Sequence, residues 1–437
     1  MEWWLLFILI ICLLIFLFFL GVPVAFSFLF VNVVFAYLFW GGEGGLTQLV
    51  LSISRSITSF SLLPVPLFLL MGEVMFLFGI AQQMMQALEK WMGRVPGRLS
   101  ILAVMGGVLF ATLSGSSMAG CAMLGQTLLP EMEKRGYKYP ITLGPIMGCG
   151  TLAAMIPPSA LGVLLASLAQ VPVGDFLLSI IFPGILMAIL FALYIIVRCR
   201  MDRTLAPQYD VEDVSLAVKI QLTVKYILPL GLVIFSVIGL IVFGVATPTE
   251  SAAVGAFVCF LLAFLYKGVK QDIIKNALVR SVKVTAMMFM ILTGATAFSQ
   301  ILAYAGATSN LVGLATQLPF HPMVVIIIMQ FILVLLGTFM EPLSILMVAL
   351  PIYMPIIRQL GMDPLPFLSV ILINMEMATI SPPDGLVLYT MKAVAPQYSM
   401  GQIYRASVPF VIIDIVAMAV VMIFPEIATF LPSISKG

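Results

Sequence analysis

The sequence predicts an all-α polytopic membrane protein made of two inverted-topology repeats, each with a re-entrant helical hairpin and a broken helix. Three observations carry that prediction. First, 62% of the 437 residues are hydrophobic and 9% are charged, and mean hydropathy is +1.18. So few charges cannot cover a soluble surface of this size, so nearly all of the chain belongs in the lipid bilayer. Second, two segments have polar centres that an ordinary transmembrane helix would not carry. One is 98–134, around Ser114-Gly115-Ser116-Ser117; the other is 321–358, around Gly337-Thr338-Phe339-Met340-Glu341-Pro342. Third, each is followed by a long apolar stretch broken by a double proline, Pro157-Pro158 and Pro382-Pro383. Hairpins paired with broken helices are how ion-coupled transporters place a site at mid-membrane depth.

The elements follow in order. Met1-Glu2-Trp3-Trp4 has no basic region and no small-residue cleavage site. It is expected to open a first membrane helix with an aromatic anchor, not a removable signal peptide. Apolar runs at 3–20, 22–40 and 57–79 make residues 1–80 an N-terminal scaffold. At 81–98, Gln82, Gln83, Gln86, Glu89 and Lys90 alternate with Met, Leu and Trp, the pattern of an interfacial arm helix. Lys90, Arg94 and Arg98 precede the first hairpin, and Lys134, Arg135 and Lys138 follow it, so both flanks face the cytoplasm. Two full spans need about 40 residues plus a turn, more than the segment holds. A re-entrant hairpin at 99–130, turning at 114–117, fits. The broken helix 141–169 then belongs to a first transport repeat at 99–200.

Arg198, Arg200, Arg203, Lys219 and Lys225 mark an inner connection, and Lys267, Lys270, Lys275, Arg280 and Lys283 the next inner loop. Residues 201–283 thus read as scaffold helices and a connecting arm, with 269–283 a second interfacial helix. The second repeat is 284–437, with its hairpin at 321–358 and broken helix at 366–395. The loops 170–175 and 246–250 carry no Lys or Arg and fall outside. Both termini then lie outside the cytoplasm, and the second hairpin enters from the opposite side to the first. Prolines and glycines keep register across the repeats: Pro130 with Pro355, Gly136 with Gly361 and Pro157 with Pro382 are each 225 apart (355 − 130, 361 − 136, 382 − 157).

Ending half-helices inside the membrane frees carbonyls and N–H groups that lipid cannot satisfy. Carbonyls and hydroxyls offer hard oxygens to Na⁺, and half-helix N-termini attract anions. The Ser114–Ser117 turn is therefore a candidate site, faced by Gly148-Cys149-Gly150-Thr151. In the second half the counterparts are Gly337, Thr338 and the stretch from Asn374 to Asp384, with Thr338, Asn374 and Thr379 as neutral ligands. Glu341, Glu376 and Asp384 are intramembrane acids, which are functional candidates by default; they could instead cap helix ends, bind protons or make structural ion pairs, and for any one of them a structural reading fits equally well. Glu73 and Glu250 also read as buried, with Glu250 capping the helix after Thr247.

Other classes fit poorly. A net charge of +2 with no basic run speaks against nucleic acid. Five scattered cysteines and the single His321 offer neither a disulfide framework nor a metal cluster. There is no GxxxxGK[ST] loop for ATP and no nucleophile–base pair for an enzyme.

Leu113-Ser114-Gly115-Ser116-Ser117, Pro130-Glu131-Met132-Glu133-Lys134-Arg135-Gly136-Tyr137, Ile156-Pro157-Pro158-Ser159, Ala246-Thr247-Pro248-Thr249-Glu250 and Ser381-Pro382-Pro383-Asp384-Gly385 resemble the large membrane subunit of TRAP transporters, the tripartite ATP-independent periplasmic transporters. The resemblance implies a Na⁺-driven, elevator-type importer of a small organic anion in the bacterial inner membrane. It also implies two partners, a small four-helix membrane subunit and a periplasmic substrate-binding protein. The small subunit is expected to be a separate chain. Carried over, Na⁺ falls to Ser114, Gly115, Gly150, Thr151 and Pro157, and to Gly337, Thr338, Asn374, Thr379 and Pro382. Substrate falls to Ser116, Ser117, Ser159, Glu341 and Asp384. The alternative is a stand-alone proton- or Na⁺-coupled organic-anion carrier of similar design.

Overall fold

A computed structural model describes residues 2–93, 95–114, 116–207, 215–268, 271–317, 320–337 and 340–435, without the side chains of 80–82, 111–114 and 267. Every regular element in it is a helix. Among the described residues, seven helices are long and apolar enough to cross a membrane: Phe60–Leu77, Val173–Met201, Leu216–Val242, Pro248–Tyr266, Gln271–Tyr304, Pro342–Gln359 and Met400–Ile423. Large apolar side chains such as Phe19, Leu38, Ile189, Phe243, Leu265 and Phe331 point outward. Water would not tolerate such a surface, and lipid does.

Both predicted repeats are present. Arg98–Ser114 and Ser117–Lys134 form the first hairpin; Tyr139–Thr151 and Ala160–Ala169 form the first broken helix. Pro322–Gly337 with Pro342–Gln359, and Pro364–Ile380 with Leu386–Val394, are their equivalents. The register holds in three dimensions: Ser117–Lys134 and Pro342–Gln359 differ by 225 at both ends (342 − 117, 359 − 134). Proline opens the second arm of the second hairpin and its broken helix, where its missing N–H costs nothing. Both double-proline bonds are cis.

The breaks have local causes. Ser159 caps the Ala160–Ala169 helix, its hydroxyl accepting from the Gly162 N–H at 2.9 Å. Gly385 stands where a Cβ would come within 2.4 Å of the Thr379 carbonyl oxygen, so only glycine lets the chain fold back there.

Two clasps, one for each hairpin, tie it to the end of the other repeat's broken helix. At the end of the first hairpin, Glu133 accepts hydrogen bonds from Gln397 Nε2 and the Tyr398 hydroxyl, both at 2.8 Å, just past the second broken helix. At the end of the second, Arg358 donates to the carbonyls of Ala169 (2.9 Å) and Gln170 (3.3 Å), where the first broken helix ends. Glu133 and Arg358 are themselves equivalent positions (358 − 133 = 225). The repeats thus exchange matching contacts, made by different chemistry.

The outer helices surround this pair. Phe60–Leu77 packs on Pro248–Lys267 and on Gln271–Tyr304, which also packs on Val24–Phe39 and Glu43–Ile57. Asn32 Nδ2 donates to the Gly294 carbonyl at 2.7 Å in that buried interface.

Three expectations need correction. The stretch 269–283 is no separate arm: from Gln271 it is continuous with the following span in one 34-residue helix, Gln271–Tyr304. Nothing between 271 and 293 is Pro or Gly, so nothing stops it; the division expected at 283/284 falls inside this helix. Glu250 is exposed, not buried, and completes a capping box with Thr247. Glu73 is half-buried, with its side chain 28% exposed.

Candidate functional site

Both hairpin tips open onto one cleft of about 370 Å³. Ser116, Ser117, Glu341, Glu376 and Thr379 line it from the hairpins and the second broken helix, and Glu73, Phe76 and Arg280 from the outer helices. Each tip reaches this depth because glycine removes a side chain. A Cβ on Gly150 would lie 3.1 Å from the Ser117 carbonyl oxygen, so the first tip rests directly on its broken helix. A Cβ on Gly337 would lie 2.7 Å from Ala378 Cβ, so the second tip does the same.

Among the described residues, a hydrogen bond joins the two repeats inside the cleft. Ser117 Oγ donates to Glu376 Oε2 at 2.6 Å, and Glu376 is only 4% exposed. Thr379 turns its hydroxyl back onto the Glu376 carbonyl at 2.6 Å. Ser116 is the N-cap of the second arm of the first hairpin, accepting from the Ala119 N–H at 3.4 Å. Glu341 occupies the same position in the second hairpin but makes no capping bond, and it is exposed to the cleft.

The remaining predicted residues have other settings. Thr151 is fully buried and donates to the Gly148 carbonyl at 2.8 Å. Pro157 is buried and Pro382 half-buried at the breaks. Asn374 Nδ2 donates to the Gln330 carbonyl (3.0 Å) and to Gln330 Oε1 (2.9 Å), while Asn374 Oδ1 is buried without a partner. Ser159 is spent as a helix cap, and Asp384 is exposed; neither lines the cleft. Gly115, Thr338 and the Ser114 side chain lie outside the described residues.

Sequence reasoning missed two groups. Arg280 reads as an inner-loop anchor, yet it faces the cleft, 3.9 Å from Glu73. Asp414 lies inside the apolar Met400–Ile423 helix, fully buried, with neither carboxyl oxygen hydrogen-bonded. Its helix packs on Pro364–Ile380, the helix that carries Glu376. A lone acid in a long apolar run was the available signal.

Residues 11–427 match the family described as the tripartite ATP-independent periplasmic transporter, DctM component. The chain is 31% identical to the C4-dicarboxylate TRAP transporter large permease protein DctM of Pseudomonas aeruginosa, over 88% of this chain and 89% of that one. It is 27% identical to the sialic acid TRAP transporter large permease protein SiaM of Vibrio cholerae, over 96% of each. The YdaH transporter of Alcanivorax borkumensis, known from a crystal structure with an unusual topology, shares the fold. The TM-score is 0.65 at 15% identity, over 87% of this chain and 89% of that one. The chain therefore belongs to the DctM component family of TRAP transporters, as a multi-pass large permease subunit and not an enzyme.

Proposed function

We propose that this chain is the inner-membrane large subunit of a Na⁺-coupled importer of a small organic acid. A periplasmic binding protein delivers the substrate, and a small four-helix membrane subunit braces the outer helices. The cleft between the hairpin tips and the outer helices is the observation that carries this reading. It joins polar, membrane-depth groups from both repeats to a wall of separate helices. The relatives from P. aeruginosa and V. cholerae are named for C4-dicarboxylates and sialic acid, both organic acids.

In this reading Na⁺ binds beside each tip. Ser114, Gly115, Gly150, Thr151 and Pro157 supply oxygens on one side; Gly337, Thr338, Asn374, Thr379 and Pro382 do so on the other. The unpartnered Asn374 Oδ1 is an acceptor suited to a cation. Ser116, Ser117 and Glu341 meet the substrate. The hairpins and broken helices then move as one body against the outer helices, an elevator. Two Na⁺ with a monoanion carry one net positive charge inward, and about 100 mV contributes roughly 2.3 kcal/mol to that step.

Substrate uptake into proteoliposomes with the small subunit tests this. It is expected to require both an inward Na⁺ gradient and the binding protein; uptake unchanged with K⁺ or without the binding protein would contradict it. Buried Asp414 favours a second reading, proton coupling. Under the Na⁺ reading Asp414→Asn keeps Na⁺-driven uptake, and under the proton reading it abolishes uptake driven by a pH gradient.

A further inference from the structure

The charges around the cleft are unbalanced in a way that bears on what it accepts. Among the described residues, three acids line it, Glu73, Glu341 and Glu376, against one cation, Arg280. Glu73 and Arg280 stand on the outer helices, with Glu73 Oε2 3.9 Å from Arg280 Nη1. A single contact that long leaves most of the guanidinium fork available to another carboxylate. Arg280 is 56% exposed, so a ligand can reach it. On the opposite wall, Glu341 is exposed and does not cap its own helix. Glu376 is already occupied by Ser117. The free negative charge of the hairpin wall is therefore Glu341, and the free positive charge of the outer wall is Arg280.

A dicarboxylate meets this arrangement badly. One end pairs with Arg280; the other has no protein cation and faces Glu341 across a partly dehydrated cleft, where like charges repel. A molecule with a carboxylate at one end and a cationic group at the other matches both walls. A cleft of about 370 Å³ suits a small ligand.

We propose that this cleft selects a small zwitterionic acid, with its carboxylate on Arg280 and its ammonium or quaternary ammonium group on Glu341. The proposal rests on the reading of the chain as an organic-acid importer and narrows the substrate to one class.

The test is thermal stability of the purified large and small subunits together, since a ligand that binds the folded state raises Tm. The probes are glycine betaine, γ-butyrobetaine and succinate at equal concentration, in NaCl and in KCl. A betaine is expected to raise Tm by a few degrees in NaCl and succinate to leave it unmoved. Glu341→Gln and Arg280→Gln are expected to abolish the betaine shift, while Glu341→Asp and Arg280→Lys retain part of it. Succinate matching or exceeding the betaines, no shift with any probe, or a betaine shift that survives Glu341→Gln would overturn the proposal. The two salts separate the claims. A betaine shift equal in KCl removes Na⁺ coupling but keeps the zwitterion, whereas a shift by succinate confined to NaCl does the reverse.

Discussion

Ser117 shows how much one side chain carries in a membrane interior. Its hydroxyl is the hydrogen-bond partner of Glu376 at 2.6 Å, and Glu376 has almost no water to turn to. Ser117→Ala would leave that carboxyl buried and unsatisfied, a cost of about 1–3 kcal/mol. We expect uptake to fall by about tenfold or more, the equivalent of 1.4 kcal/mol, with Tm reduced; Ser117→Thr, which keeps the hydroxyl, should retain most activity. Ser116, Ser117 and Glu341 stand out in the sequence because polar groups are rare in such apolar surroundings. Arg280 does not, because a basic residue in a cluster with Lys275 and Lys283 looks like an ordinary inner-face anchor. Only the packing of its helix against Phe60–Leu77 brings it to the cleft. Ser159 is held as the cap of the helix after the first break, and Asp384 is exposed after the second.

Helices and their breaks depend on close backbone contacts that tolerate little. Gly385→Ala would press a Cβ into the Thr379 carbonyl at 2.4 Å, against backbone that cannot rotate away. Overpacking of this kind costs about 1–3 kcal/mol, and the expected outcome is a lower Tm together with lost uptake. Gly231→Ala, with nothing within 4 Å, is the control and should change neither. The clasps make a second prediction at this scale. Arg358→Ala removes a cation from the carbonyls that end the Ala160–Ala169 helix, a loss of about 0.3–1 kcal/mol. The fall in Tm should be small, and smaller still in Arg358→Lys. The inverted repeat was legible because prolines and glycines sit where the backbone requires them, and the backbone repeats every 225 residues (382 − 157). The continuous Gln271–Tyr304 helix was not, because its polar first turns and apolar remainder read as two elements. At 1.5 Å per residue it is about 50 Å long, enough to leave the roughly 30 Å hydrocarbon layer and carry charge at one end.

At the scale of the whole molecule, two groups of helices meet at one cleft. The hairpins and broken helices are bound to one another by the clasps and by Ser117–Glu376. The outer helices present Glu73, Phe76 and Arg280 to them. Met118 on the first hairpin and Met287 on the long outer helix line opposite walls, and both are exposed, at 46% and 47%. They therefore accept spin labels without disturbing a core. The most direct measurement is the distance distribution between labels at Met118→Cys and Met287→Cys, in a background without native cysteines and with the small subunit present. It would be recorded with K⁺, with Na⁺, and with Na⁺ plus substrate. A body that moves against a fixed frame predicts two separated distance populations whose proportions change with Na⁺ and substrate. One unchanging population under all three conditions, in protein that still transports, would contradict it.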